Sequence, residues 1–182
     1  MSCANSAKQE TKTNYADLTK QYAKVQLTSD ISHLSDNEKQ MLDYLYEIGN
    51  IMDDIFWTQQ FGGDKEAFLN SIEDKDARLF AEINYGPWNH FDNLNPFLPE
   101  YGAMPAGAGF YPTDMTKEEF EAWDNPDKTS LYTLIKRDEN GKLQAVWYHE
   151  AYAEQINRVA ELLNKAADLA GDKEFADYLR LR

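Results

Sequence analysis

The part of the sequence closest to a catalytic motif is the segment 149–154, which begins with His149-Glu150. A zinc peptidase helix needs two histidines on one face, one turn apart, with a glutamate between them that activates water. Here Ala153 occupies the position of the second histidine, and Glu154 follows it. We therefore interpret these side chains as solvated residues of a first helical turn, where acidic groups also suit the helix dipole. The chain is predicted to contain no catalytic residue of its own.

Other sequence patterns for metal, nucleotide or nucleophile chemistry are also missing. The three histidines, His33, His90 and His149, are far apart, whereas zinc ligands are usually closely spaced. There is no phosphate-binding glycine loop, no Cys-x-x-Cys pair and no Gly-x-Ser-x-Gly elbow. We accordingly predict no metal site and no cofactor within the 182 residues.

The composition excludes one class of partner. The 32 acidic residues outnumber the 18 basic ones, so the formal charge is −14 and the surface repels phosphate backbones and anionic lipid headgroups. Nucleic acid is therefore not a predicted partner. Hydrophobic residues make up 42% of the chain, which is enough for a folded domain with a core.

The N-terminus contains the only cysteine, Cys3, followed by a polar stretch to about Asp30. This start resembles a bacterial lipoprotein whose signal peptide has been removed, with Cys3 as the lipidation candidate. The alternative is a chance cysteine in a frayed terminus. We predict that residues 1–30 form a flexible tether with at most one short helix at 15–25. On the lipoprotein interpretation the protein is exported to the periplasm or cell surface, and a lipid anchor is its only contact with a membrane.

Residues 31–182 show the patterns of a mainly α-helical domain. Ser35 and Glu38 have capping-box spacing, and apolar residues then recur every three or four positions as far as Phe56. This pattern predicts one long helix that ends at Gly62-Gly63. Further helices are predicted at 65–72, 76–83, from Thr116, at 150–170 and from Lys173.

One β-hairpin interrupts the helical patterns. The segments 131–136 and 143–148 are rich in β-branched and aromatic residues, and Asn140-Gly141 lies in the turn between them. The final helical pattern runs to Leu181-Arg182 without a stop signal. We therefore expect the domain to be truncated at its C-terminus, as part of a larger enzyme.

A long loop at 84–115 has a different composition from the rest. It contains five of the six prolines, four glycines and seven aromatic rings, so it excludes a long helix or a central strand. A loop of this length is usually functional or packed on another element. Either its rings bind sugars or peptides, or they pack on the core or on a missing domain. We predict an exposed apolar patch near Trp88, Phe110 and Tyr111.

Two motifs in this loop carry a family resemblance. They are Tyr85-Gly86-Pro87-Trp88 and Pro105-Ala106-Gly107-Ala108-Gly109-Phe110-Tyr111-Pro112-Thr113-Asp114-Met115. The likeness continues through Glu118-Glu119-Phe120, 132–137 and 148–166. Over about residues 36–182 the chain resembles dipeptidyl peptidase III-like zinc hydrolases, in the bacterial branch related to the peptidase half of plant Nudix fusion proteins.

The resemblance implies that the chain is the N-terminal part of a zinc-dependent peptidase with two lobes around a cleft. The family's His-Glu-x-x-x-His helix is not in this sequence, so the resemblance implies zinc only for the full-length protein. The zinc would lie in a C-terminal catalytic portion of the same chain, and that portion is the implied partner of this domain. Peptide is the implied substrate. The loop residues implied to line the cleft or lobe interface are Tyr85, Trp88, Phe110, Tyr111 and Asp114.

Two other interpretations remain open on the sequence. One is a stand-alone acidic lipoprotein that presents the aromatic loop to peptides or glycans. The other is a structural or interaction domain without a ligand. A gene that ends at Arg182 would favour both of them over the peptidase, whereas continuation into His-Glu-x-x-x-His would exclude them.

Overall fold

The structure, a computed structural model, describes residues 13–182, and this part of the chain is mainly helical, as predicted. Within these residues there are eight α-helices, one 3-10 helix and four short strands. The helices are α1 (Tyr15–Thr19), α2 (Asp36–Phe61), α3 (Lys65–Ser71), α4 (Lys75–Asn84), α5 (Lys117–Ala122), α6 (Tyr148–Ala151), α7 (Ala153–Leu169) and α8 (Lys173–Arg180). The 3-10 helix is Ala108–Phe110.

The predicted limits of the longest helix, α2, are confirmed. The Glu38 backbone N–H donates to the Ser35 hydroxyl at 3.3 Å, and the Ser35 backbone N–H donates to Glu38 Oε2 at 2.8 Å. This reciprocal pair satisfies two backbone donors that the first helical turn leaves free. At the other end Gly62 adopts a left-handed conformation with φ 76°, which stops the helix.

Helices α2, α7 and α8 pack together as a small bundle. Ala166, Ala167 and Ala176 are buried between them with Leu179, and Met41 of α2 packs against this cluster. Alanine side chains allow close approach of the helix axes, and the apolar area they share is removed from water. At the surface of the same interface the Arg158 guanidinium lies 2.6 Å from a carboxylate oxygen of Glu47.

The predicted hairpin is confirmed, and the helix after it differs from the prediction. Strands β3 (Thr133–Arg137) and β4 (Leu143–Trp147) are antiparallel, with Ile135 opposite Ala145. The helix predicted at 150–170 is divided into α6 and α7 at Tyr152, whose φ of −119° is not helical. Tyr152 is buried against Ile55 and Leu134, and this packing fixes the bend.

A further two-stranded pair that the sequence did not predict joins β1 (Trp88–Asn89) to β2 (Asn95–Pro96).

The one short helix predicted at 15–25 is present as α1, and residues 13–22 lie against the domain. Helix α1 packs on α4, and the Tyr15 ring meets Phe97 edge to face at 6.3 Å. The Tyr22 hydroxyl donates to Asn84 Oδ1 at 3.0 Å. The segment has few apolar residues, but Tyr15, Leu18 and Tyr22 pack against the core. These contacts explain why the segment lies on the domain. Cys3 and the rest of residues 1–12 lie outside the described part of the chain.

None of the helices in the described range 13–182 combines the length and the apolar character needed to cross a membrane.

Candidate cleft or interface surface

The loop 84–115 is attached to the C-terminal turns of α2 through its 3-10 helix. A Cβ atom on Gly109 would overlap the carbonyl oxygen of Thr58, so the two backbones are in direct contact there. The preceding Gly107 has φ 80°, a conformation that glycine adopts without strain. Phe110 then packs against the buried Ile55 and Leu134. The motif glycines therefore bring the loop onto the helix, and Phe110 is half-buried.

Trp88 does not form part of an exposed patch, and the prediction is wrong for this residue. Its side chain is only 5% exposed, and its indole N–H donates to the carbonyl of Gly102 at 3.0 Å. The ring lies 6.2 Å from that of Phe61 at the end of α2. The chain turns back at Gly86, where φ is 147°, and this turn directs Trp88 into the core.

Tyr111 forms one wall of an open apolar pocket. Its side chain is 37% exposed, and its ring meets that of Phe120 edge to face at 6.1 Å. The pocket has a volume of about 350 Å³, and its remaining walls include Pro105, Pro112 and Met115. An opening of this kind can take an apolar side chain from a peptide or from another part of a protein.

Asp114 belongs to an ion-pair cluster centred on Arg137. The Arg137 Nε lies 2.9 Å from a carboxylate oxygen of Asp114, and its two terminal nitrogens donate to both oxygens of Glu119 at 2.8 and 2.9 Å. Arg137 also donates to the carbonyl of Gly141. Hydrogen bonds from Arg137 lower the pKa of both Asp114 and Glu119, and they raise the pKa of the guanidinium further. Asp114 therefore ties the loop to the hairpin.

Tyr85 lies at the edge of a second, charged cleft. It has a left-handed backbone conformation with φ 53°, which is unusual for an aromatic residue. Its hydroxyl donates to Asp53 Oδ1 at 2.6 Å, and this bond together with burial raises the pKa of Tyr85 to about 12. The ammonium of Lys65 lies 2.6 Å from Asp54, 3.5 Å from Asp53 and 5.6 Å from the ring centre of Trp57. The cleft has a volume of about 440 Å³.

The five residues predicted as cleft or interface candidates thus have different surroundings. Tyr85, Trp88 and Phe110 all contact side chains from the C-terminal half of α2, while Tyr111 and Asp114 face α5 and the hairpin. Of these, Tyr111 lines the apolar pocket, Tyr85 lines the charged cleft, and the Asp114 side chain is largely exposed. The partners Asp53, Lys65 and Arg137 were not predicted from the sequence, because ion pairs between distant residues leave no local pattern.

The described residues do not fit a zinc ion. Within 13–182, no group of three or more His, Cys, Asp or Glu side chains lies close enough together to bind a metal. The His90 Nε2 atom lies 3.1 Å from the carbonyl oxygen of Asn84, and the His149 ring lies beside Trp147. Neither of these contacts supplies a further Cys, His or carboxylate ligand for zinc.

Comparisons with known proteins confirm the family resemblance. The chain superposes on a dipeptidyl peptidase III structure from Caldithrix abyssi with a TM-score of 0.80 and 35% identity, covering 89% of this chain and 33% of that one. For dipeptidyl-peptidase III from Corallococcus sp. strain EGB the TM-score is 0.82 with 27% identity, and the coverage is 92% and 34%. Nudix hydrolase 3 from Arabidopsis thaliana is 27% identical over 219 aligned residues, covering 87% of this chain and 28% of that protein. No protein-family model matches the chain.

The chain therefore spans about a third of the length of the solved structures that it matches.

Proposed function

We propose that this chain, whose fold is shared with part of dipeptidyl peptidase III, is the N-terminal portion of a zinc-dependent peptidase of that type. The observation that carries the proposal is the similarity to two dipeptidyl peptidase III structures over nine-tenths of this chain. On this proposal the remaining two-thirds of the polypeptide binds the zinc ion and carries the catalytic residues, and peptide is the substrate. The described residues fit no zinc ion, so no catalytic step is assigned to them.

The contribution of this chain would be to form part of the wall that faces the catalytic portion. Tyr111 and its pocket suit this role, since the pocket is apolar, open and held in place from two sides. On one side Gly109 fixes the loop to α2, and on the other Arg137 fixes Asp114 and α5 to the hairpin. A preorganised wall of this kind binds a substrate side chain or the opposite lobe at a smaller entropic cost.

The pocket at Tyr111 also favours a second candidate function. A stand-alone acidic binding module could use the same 350 Å³ opening for an apolar peptide side chain or the face of a sugar ring. This function needs no further polypeptide, and it predicts that the 182-residue chain binds such ligands by itself.

We also propose that the protein is exported and that Cys3 carries a lipid anchor. The support is the position of the cysteine at the head of a polar segment. We expect Cys3→Ser to move the protein from the membrane fraction to the soluble fraction while it remains folded. Equal amounts of wild type and variant in the soluble fraction would contradict the anchor without bearing on the peptidase proposal.

The experiment on the peptidase proposal uses the product of the intact natural gene and measures the release of dipeptides from peptide N-termini. For Tyr111→Ala, we expect KM to rise or kcat to fall by about 10-fold, because a packed wall residue is lost. Tyr132→Ala serves as the matched control, since Tyr132 is 66% exposed and lies outside the pocket. Unchanged kinetics for Tyr111→Ala would contradict a role in the cleft, and tight peptide binding by the 182-residue chain alone would support the binding module.

A further inference from the structure

Helix α2 has an apolar face that the described part of the chain leaves uncovered. Its exposed residues are Tyr46, Met52 and Phe56, which are 74%, 49% and 42% exposed. Together with Leu42 and Gly49 they follow each other at intervals of three or four residues, so they lie on one side of the helix. We refer to these five residues as the open face of α2.

Two further sides of α2 are covered within the domain, and another side is polar and exposed, with Asp43, Asn50 and Asp54. Helix α7 packs along the side that carries Met41 and Ile55, and α8 contacts the cluster near Leu45. Near its C-terminus Trp57 and Phe61 are packed against Phe68 and the loop. The exposed apolar face lies beside the covered ones, so the apolar part of α2 is wider than the area that this domain covers.

We propose that the open face of α2 is the docking site for an apolar helix with basic flanking residues, from the remaining two-thirds of the enzyme. This inference rests on the proposed function, because it takes its occupant from the extra length of the dipeptidyl peptidase III structures. It identifies the surface of this chain that the remaining polypeptide covers.

Gly49, at the centre of the open face, supports a close approach by another backbone. Glycine is among the least favourable residues inside a helix, and α2 continues unbroken for 12 residues beyond it to Phe61. Within the described chain, no atom other than the neighbouring residues and backbone of α2 itself lies within 4 Å of the position that a Cβ on Gly49 would take. By contrast, Gly62 and Gly109 each meet backbone atoms at that position. The packing of this chain therefore does not require glycine at position 49, whereas a helix that crosses there would.

The C-terminal edge of the open face is rigid. The Phe56 ring meets the ring of Tyr85 edge to face at 4.7 Å, and the Tyr85 hydroxyl donates a hydrogen bond to Asp53 on the preceding turn of α2. The aromatic edge is therefore held in position before any partner arrives, which lowers the entropic cost of docking.

The charge of α2 determines which kind of partner fits. The helix contains six acidic residues, Asp36, Glu38, Asp43, Glu47, Asp53 and Asp54, and one basic residue, Lys39. A second copy of this chain would bring the same acidic helix and a formal charge of −14 against it, which disfavours a symmetric dimer. Glu47, Asp53 and Asp54 already pair with Arg158 or Lys65, and Glu38 belongs to the capping box. Asp36 and Asp43 are exposed and form no ion pair among the described residues. An apolar helix flanked by Lys or Arg would complement the apolar face, these two carboxylates and the net negative charge of the chain.

The test places a photo-crosslinking amino acid at Met52 or at Tyr46 in the natural gene product, expressed at its own locus. We expect crosslinks, identified by mass spectrometry, to an apolar helical peptide of the peptidase that is not part of these 182 residues. The matched control places the same amino acid at Asn157, an exposed residue of α7. Crosslinks to a second copy, to an unrelated protein, or at a yield no higher than that of the control would overturn the inference.

Variants of Gly49 give a second and independent result. Gly49→Ala should raise the melting temperature of the 182-residue chain by about 2–4 °C, because alanine favours the helix and the position is open. Gly49→Leu should leave the isolated chain folded and lower the crosslink yield of the natural product at least tenfold. An unchanged yield would overturn the inference. Dipeptide release by the same wild-type product is measured separately, so that the two proposals can be distinguished. If the product releases dipeptides but forms no crosslink, the docking inference fails and the proposed function stands.

Discussion

Gly109 lies directly against the carbonyl oxygen of Thr58 in the last turns of α2. A Cβ atom at position 109 would overlap this oxygen, and it would also lie 3.1 Å from the Gln59 carbonyl oxygen and 3.2 Å from the Gly62 Cα. All three are backbone atoms, which cannot move aside as the end of a flexible side chain can. The 3-10 helix can therefore pack on α2 only with glycine at position 109.

The first prediction follows from this contact. Gly109→Ala should lower the free energy of unfolding by about 1–3 kcal/mol, the usual cost of forcing an extra carbon into a packed site. Gly102→Ala is the control, because nothing lies within 4 Å of its Cβ position, and its effect should stay within about 0.5 kcal/mol. Urea denaturation followed by circular dichroism measures both, and equal stability of the two variants would contradict the packing described.

The second prediction concerns the hydroxyl of Tyr85. Its hydrogen bond to Asp53 is the largest cause that raises the pKa of Tyr85 from 10.0 to about 12, and burial is the second cause. Because the pKa in the folded state is the higher one, the stabilisation is complete below pH 10 and is lost as the pH rises towards 12. Tyr85→Phe should therefore cost about 1–3 kcal/mol at neutral pH.

The difference between Tyr85→Phe and wild type should shrink above pH 10, and denaturant titrations across this range measure it. Tyr46→Phe serves as the control, since Tyr46 is 74% exposed and its substitution should change little at any pH. A difference that does not depend on pH would contradict the assigned hydrogen bond.

The third prediction concerns the Arg137 cluster at acidic pH. Hydrogen bonds from Arg137 hold the pKa of Asp114 and Glu119 below their ordinary values. Because the folded-state pKa values are the lower ones, the stabilisation is present above the unfolded-state values and is lost as the pH falls through the folded-state values. Wild type should therefore lose more thermal stability than Arg137→Met between about pH 5 and about pH 3.

Melting curves at each pH measure this loss, and added salt should reduce the difference between wild type and Arg137→Met. Lys117→Met is the control, because Lys117 and its ion-pair partner Glu121 are both largely exposed. The same acid sensitivity in wild type and Arg137→Met would show that the cluster does not stabilise the fold.

The fourth prediction concerns the N-terminal segment. The Tyr22 ring lies 6.0 Å from that of Phe80 and 4.9 Å from that of Phe91, and its hydroxyl bonds Asn84. Tyr22→Ala should therefore lower the free energy of unfolding by about 1–3 kcal/mol. Val25→Ala is the matched control, since Val25 is 69% exposed. Neutral results for both substitutions would show that residues 13–22 do not stabilise the domain and behave as a tether.

The sequence was most informative where the determining residues are close neighbours in the chain. The capping box at Ser35 and Glu38, the helix stop at Gly62 and the hairpin turn at Gly141 each depend on residues within a few positions, and all three are present in the structure. Local backbone chemistry determines these features, and for this reason they can be read from one sequence.

The features that were missed depend on contacts between distant residues. The bond from Tyr85 to Asp53 joins residues 32 positions apart, and the pair of Arg137 with Asp114 spans 23. The exposure of an aromatic ring also depends on distant residues. Trp88 was predicted to be exposed, but it is buried because of its contact with Phe61 and the turn at Gly86. Composition alone specified a loop rich in aromatic rings but not which of them face solvent.

Dipeptide release by the natural gene product, measured after zinc is removed and again after it is restored, tests the peptidase proposal. We expect the natural product to release dipeptides from peptide N-termini, a chelator to abolish the release and added zinc to restore it, while the 182-residue chain alone releases none. A natural product that is folded and supplied with zinc but releases no dipeptides would contradict the assignment of this chain to a dipeptidyl peptidase III-type enzyme.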